Sequence, residues 1–311
     1  MFSKIVKFLF LSILISTITL AQSVYDFTRL DASPRAAALA GSYVAGGEDP
    51  DVIFYNPAAI NTLEGTPVSF SYLNHLLDIN AANLSASYYV EEIGRFGAGI
   101  QYINYGDFTE ADEFGNRYGE FGAFDMAVSL GYANELDENF NYGASLKLIY
   151  SSIAENSSSA AAIDLGLNYL IPDSKWSFGF AVLNLGTQLS SYIDSKESLP
   201  LDIRAGFAKE LQHMPFKFYF SFNRLNDDYD NFIDRFKQFT VGGEFRLSKV
   251  IKLRFGYDNE KRSDLKIGTT AGLAGFNAGV GFKVSDYFVD YAFSSLGSIG
   301  AFHRFGVQTT F

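Results

Sequence analysis

The 311-residue sequence contains no cysteine. That excludes a disulfide framework, a thiolate metal site and a thiol nucleophile. Only three histidines are present, His75, His213 and His303, and they share no metal-ligand spacing. Basic charge is scarce too, with 24 Lys and Arg against 35 Asp and Glu. Phosphate affinity rests on basic charge, so nucleic acid is excluded as a partner. After residue 20 no stretch approaches the roughly 20 apolar residues of a membrane helix. Nucleophile elbows and phosphate-cradling glycine loops are missing. The acidic run Asp227-Asp228-Tyr229-Asp230 reads as a solvated loop rather than a calcium site. No set of residues supports catalysis, so the expectation is a non-enzyme without cofactor or metal.

The N-terminus carries the first positive signal. Lys4 and Lys7 precede an apolar run from Phe8 to Leu20, and Ala21 stands before Gln22. This predicts a secretory signal peptide over 1–21 that is removed on export. No cysteine follows it, so a lipoprotein anchor is not expected. Its loss removes two lysines and no acids, leaving 22 basic and 35 acidic residues, or −13.

From about residue 66 to the end, apolar and polar residues alternate. Tyr142, Ala144, Leu146, Leu148 and Tyr150 share one strand face; Gly143, Ser145, Lys147 and Ile149 share the other. Ile163, Leu165, Leu167 and Tyr169 alternate with Asp164, Gly166 and Asn168. Phe216, Phe218, Phe220 and Phe222 alternate with Lys217, Tyr219 and Ser221. The polar faces carry Asp125, Lys147, Asp164, Arg204, Glu244, Arg254 and Asp290. Segments near ten residues with aromatics at their ends fit an apolar lipid-facing band with interfacial girdles. Strands can cross lipid only as a closed barrel, because nothing in the bilayer satisfies an open edge.

The fold class predicted is all-β: a transmembrane antiparallel β-barrel of about 14 strands with a short N-terminal helical plug segment. Strands are predicted to begin near residues 66, 82, 94, 121, 139, 160, 175, 201, 215, 236, 250, 275, 286 and 302. Short turns at 91–94, 135–138, 172–175, 212–215 and 248–249 alternate with longer connections. The latter are 106–120, 153–159, 187–200, 224–235 and 259–275. Such alternation places short turns on the periplasmic side and long loops outside a cell outer membrane. The final face, His303, Phe305, Val307, Thr309 and Phe311, ends on an aromatic. Phe311 is therefore read as a C-terminal assembly signal.

Residues 22–65 differ, giving three domains: signal peptide 1–21, plug segment 22–65 and barrel 66–311. Ser33 is placed to cap a short helix starting at Pro34 and ending by Gly41. Glu48-Asp49-Pro50-Asp51 reads as a turn. Asn56 is placed to cap a second short helix from Pro57. Leu39, Val44, Ile53, Phe54 and Ile60 argue against a disordered tail. The candidate plug motif is Ser33, Pro34, Arg35, Asn56, Pro57 and Ala58.

The runs Ser33-Pro34-Arg35-Ala36-Ala37-Ala38-Leu39 and Asn56-Pro57-Ala58-Ala59 carry a resemblance to a known family. So do Gly97 to Phe108 with Glu110 to Asn116, Asp264 to Gly268, Gly272 to Gly275 and the closing His303-Arg304. The chain resembles the PorV/PorQ family, most closely its PorQ branch from the Bacteroidetes type IX secretion system, related in architecture to FadL transporters. The resemblance implies a barrel docking the PorU, PorV and PorZ proteins of a surface attachment complex. The alternative is a FadL-like transporter of small hydrophobic molecules. That needs an apolar cavity beneath the outer loops, whereas the predicted lumen faces are mainly polar.

Overall fold

A computed structural model describes residues 24–75, 78–193, 195–229, 231–266 and 272–311. The expected signal peptide lies outside these residues. Fourteen antiparallel strands close on themselves in sequence order, each paired with the next and β14 with β1. They are β1 Pro67–Asn74, β2 Asn80–Val90, β3 Gly94–Ala111, β4 Arg117–Asp137, β5 Phe140–Ile153, β6 Asn156–Ile171 and β7 Trp176–Ser190. Then follow β8 Asp202–Glu210, β9 Phe216–Phe222, β10 Phe239–Arg246, β11 Ile251–Asp258, β12 Phe276–Val284, β13 Tyr287–Ser295 and β14 Ala301–Thr310. Closure leaves no strand edge unpaired, which lipid requires. Among the described residues no helix is long and apolar enough to cross a membrane.

The alternation seen in the sequence becomes an inside and an outside. On β5, Leu146 and Leu148 are exposed while Ser145 and Lys147 are buried. On β6, Ile163 and Leu165 point out and Asp164 points in. Exposed apolar side chains on the outer face are what a lipid-facing band demands. The seam fixes the register: Pro67 pairs with Thr310, and the Phe311 amide donates to the Thr66 carbonyl at 3.1 Å. His303 faces outward, its Nδ1 2.8 Å from the Tyr291 hydroxyl, and His75 packs its ring on Phe302. His213 sits exposed in the β8–β9 turn.

Two connections differ from expectation. The predicted long loops 106–120 and 153–159 are largely strand. β3 continues to Ala111, β4 begins at Arg117, and β5 and β6 meet across residues 154–155. A bulge at Tyr105 and Gly106 lets the β3–β4 ladder continue, with Phe108 opposite Phe121. Gly106 takes φ +80°, which suits a residue without Cβ. These extensions look like loop in sequence because both faces lie beyond lipid, so nothing enforces a period of two. β3 and β4 reach 18 and 21 residues, against the ~9–11 a span needs. β8 to β14 have only 7–10 residues. One side of the barrel therefore stands high, and the low side carries longer connections, of which 195–201, 223–229, 231–238 and 259–266 are described.

Residues 24–65 run through the lumen. The five-residue helix Pro34–Ala38 begins at Ser33, whose hydroxyl accepts the Ala36 amide at 3.1 Å. Two 3₁₀ helices follow, Pro50–Phe54 and Pro57–Thr62. The expected turn at Glu48 to Asp51 thus runs straight into helix. Asn56 caps the second of them through the Ala58 amide, at 3.1 Å.

Candidate functional site

Two features of the lumen carry chemistry: the join between the inner segment and the wall, and a recess at the mouth beside the β3, β4 and β5 extensions. At the join, backbones meet at close range. A Cβ on Gly143 would lie 2.6 Å from the Ala58 nitrogen, and one on Gly166 would lie 2.1 Å from Asn56 Oδ1. Glycine is required there by space. Asn56 also donates to the Val44 and Leu167 carbonyls at 2.8 and 3.0 Å, so it satisfies the segment and the wall together. Ser71 and Asn83 of the wall both donate to the Ala32 carbonyl, at 2.5 and 2.9 Å.

Charges complete the join. Arg35, buried, lies 2.8 Å from Glu244 on β10. Arg254 on β11 bridges Glu244 at 2.7 Å and Asp290 on β13 at 2.5 Å. Glu48 pairs with Lys217 on β9 and lies 4.0 Å from Arg35. Lys147 and Asp164 pair at 2.9 Å elsewhere on the wall. Removing ions from water is costly, and such groups persist inside only with partners. These particular cations and acids are therefore matched to one another and to the segment.

Asp49 and Asp51 of the segment have no cation partner among the described residues. Ser85 and Ser69 donate to Asp51 at 2.7 and 2.8 Å. The Tyr43 hydroxyl lies 3.0 Å from Asp49. Burial dominates both. It pushes Asp49 up to about 8, with neighbouring Asp51 adding to the rise, and Asp51 to about 6 against its two hydroxyl donors.

The recess lies on the high side of the barrel, inside the β3–β4–β5 extensions. Its volume is about 480 Å³, its walls are mostly apolar, and it opens to solvent. Val24, Phe108, Ala123 and Ile153 form the oily surface. One end is polar: Tyr105 donates to Asp125 Oδ2 at 2.6 Å, Ser151 donates to Asp125 Oδ1, and Tyr192 donates to Ser151. A second cavity of about 390 Å³ lies against the low side. Charged residues line much of it, with Arg204 on Asp202 at 2.6 Å and Lys261 on Asp258 at 3.4 Å, so it is less oily than the recess.

The sequence-derived motif residues Ser33, Pro34, Arg35, Asn56, Pro57 and Ala58 are all buried inside the barrel. They do not form one cluster: Arg35 meets β10, while Asn56 and Ala58 meet β5 and β6. Phe311 lies far from both sites, exposed at the closing seam. The sequence reading missed the recess because it assigned Phe108 and Ile153 to loops. The signal was present: Ser145, Lys147, Ile149, Ser151 and Ile153 keep one parity along β5.

No family model and no curated protein matches the chain. Solved structures do. The toluene transporter TbuX of Ralstonia pickettii superposes with a TM-score of 0.58 at 12% identity, covering 90% of this chain and 98% of that one. The toluene transporter TodX of P. putida gives 0.55 at 10% identity, with 90% and 98% covered. A FadL homologue of Pseudomonas aeruginosa also gives 0.55 at 10% identity, with the same coverage. At such identities the likeness establishes the fold alone: a fourteen-stranded barrel of FadL-like architecture.

Proposed function

We propose that this chain resides in a bacterial outer membrane and admits small hydrophobic molecules at its outer mouth. The observation that carries this reading is the oily recess of about 480 Å³ beneath the rim. It meets the requirement for an apolar cavity that the polar mid-lumen does not. Sites for small molecules are concave, mostly apolar and furnished with a few polar groups, which describes this recess. The likeness to toluene transporters supports the reading at the level of fold. Short turns then face the periplasm and the long connections face outward. The segment 22–65 acts as a plug, since its ion pairs close the mid-lumen to free diffusion. Deleting the gene and measuring entry of a labelled monoaromatic hydrocarbon tests this. Uptake should fall severalfold and return with the gene on a plasmid; unchanged uptake rejects the reading.

A second reading has its own observation. The β3–β4 extension exposes Phe114 and Tyr118, at 82% and 68%, beyond the lipid span. Exposed aromatics of this kind are what a docking surface uses. With the sequence resemblance, this supports a component of the type IX attachment complex with PorU, PorV and PorZ as partners. Normal surface attachment of cargo in the same deletion strain would reject it.

A further inference from the structure

Asp125 stands apart from the other buried acids of the barrel wall. Asp164, Asp202, Glu244, Asp258 and Asp290 each have a cation within 3.4 Å. Asp125 is 4% exposed, and among the described residues no cation pairs with it. Its two oxygens accept from Tyr105 and Ser151. A carboxylate offers about four acceptor positions, so roughly half remain for an incoming donor. Asp125 lines the recess at its polar end. The β3–β4–β5 extensions are acidic as well: Glu110, Glu120 and Glu155 line another pocket on them. A buried carboxylate without a counter-ion is costly, and a donor or cation arriving with a ligand relieves that cost. A ligand carboxylate would meet like charge in a poorly screened site.

We infer that the recess binds small amphiphiles with an apolar body and a hydrogen-bond-donating head, amines above alcohols, and that Asp125 selects against carboxylates. This inference rests on the uptake reading but concerns only the choice of head group. Tyr105 and Ser151 hold the Asp125 carboxylate in place, and Phe108, Ala123 and Ile153 receive the body of the ligand.

The test uses the full protein in nanodiscs and calorimetric binding of four probes of similar size. These are 2-phenylethylamine, 3-phenylpropanol, 3-phenylpropanoate and ethylbenzene. The amine should bind at least about tenfold more tightly than the carboxylate, with the alcohol between them. Asp125→Asn, nearly isosteric, should bring amine and carboxylate within about threefold of each other. Ile153→Trp should weaken all four by filling the recess. Because a variant can misfold, each is first checked for the heat-modifiable gel shift of a folded barrel, and the wild-type ranking alone can overturn the inference. Ethylbenzene binding that Ile153→Trp removes, with no preference for the amine, sinks the head-group selection and leaves uptake standing. No binding of any probe, with normal hydrocarbon entry in the deletion strain, sinks both.

Discussion

Asp51 shows how a single side chain reports on the seating of the plug. It lies between Ser69 and Ser85 of the wall, away from water. Burial holds its carboxyl up at about 6 rather than 3.8, and Asp49 rises to about 8 by the same cause. A group whose pKa is raised in the folded state holds more protons folded than unfolded. Its favourable contribution is complete below about 4 and is lost as pH rises through about 6, then about 8. The seated plug should therefore be firmer in mild acid. The apparent Tm of the protein in detergent is expected to be higher at pH 5.5 than at pH 8.5. Asp51→Asn should remove the portion centred near pH 6 and raise Tm at pH 8.5. The gap between 3.8 and about 6 sets a ceiling of about 3 kcal/mol on that gain. A pH profile identical in wild type and variant would contradict the assignment. None of this was legible in the sequence, where Asp49-Pro50-Asp51 is an ordinary turn signal; only the wall of β1 and β2 makes Asp51 dry.

At the scale of elements, the strands were readable where lipid touches them and unreadable where it does not. Leu146, Leu148, Ile163 and Leu165 must be apolar because they face acyl chains, and their alternation marks β5 and β6 at once. Residues 107–121 have water on their outer faces, so Glu110, Asp112, Glu113 and Glu120 read as loop although most of the stretch is paired. The Asp112 side chain closes the tip, accepting from the Phe114 and Asn116 amides at 2.9 and 2.8 Å. Since this hairpin stands above the span, the barrel does not depend on it. Joining Gly106 to Gly122 through a short turn should keep the folded gel band. The same deletion removes Phe108, and with it part of the oily recess. Loss of the folded band would mean that the hairpin belongs to the folding core.

For the whole molecule, the proposed plug role makes the fit between wall and inner segment the feature that should decide whether the barrel conducts. The helix starts at Ser33 and Asn56 were visible from capping residues followed by proline, which is local chemistry. Their burial was suggested by Leu39, Ile53 and Ile60. The partner of Arg35 was invisible, because Glu244 is 209 residues away and only closure of the barrel brings them together. With the ion pairs in place, purified protein in a planar bilayer should be almost silent. Removing residues 24–63 should give stable open-channel currents, as fourteen strands enclose an interior wider than side chains alone can fill. Equal currents from both proteins would show that the segment does not seal the lumen.

The sequence by itself determined the strand count, the inward and outward faces, and the presence of a helical inner segment. Those follow from period, capping and the refusal of lipid to accept polar backbone, all of which act within about ten residues. Only the tertiary structure decided which wall glycines receive the inner segment, which buried charges find partners, and that Asp125 has no cation beside it among the described residues at the head of an oily recess. These are contacts between residues distant in the chain, and no local pattern encodes them.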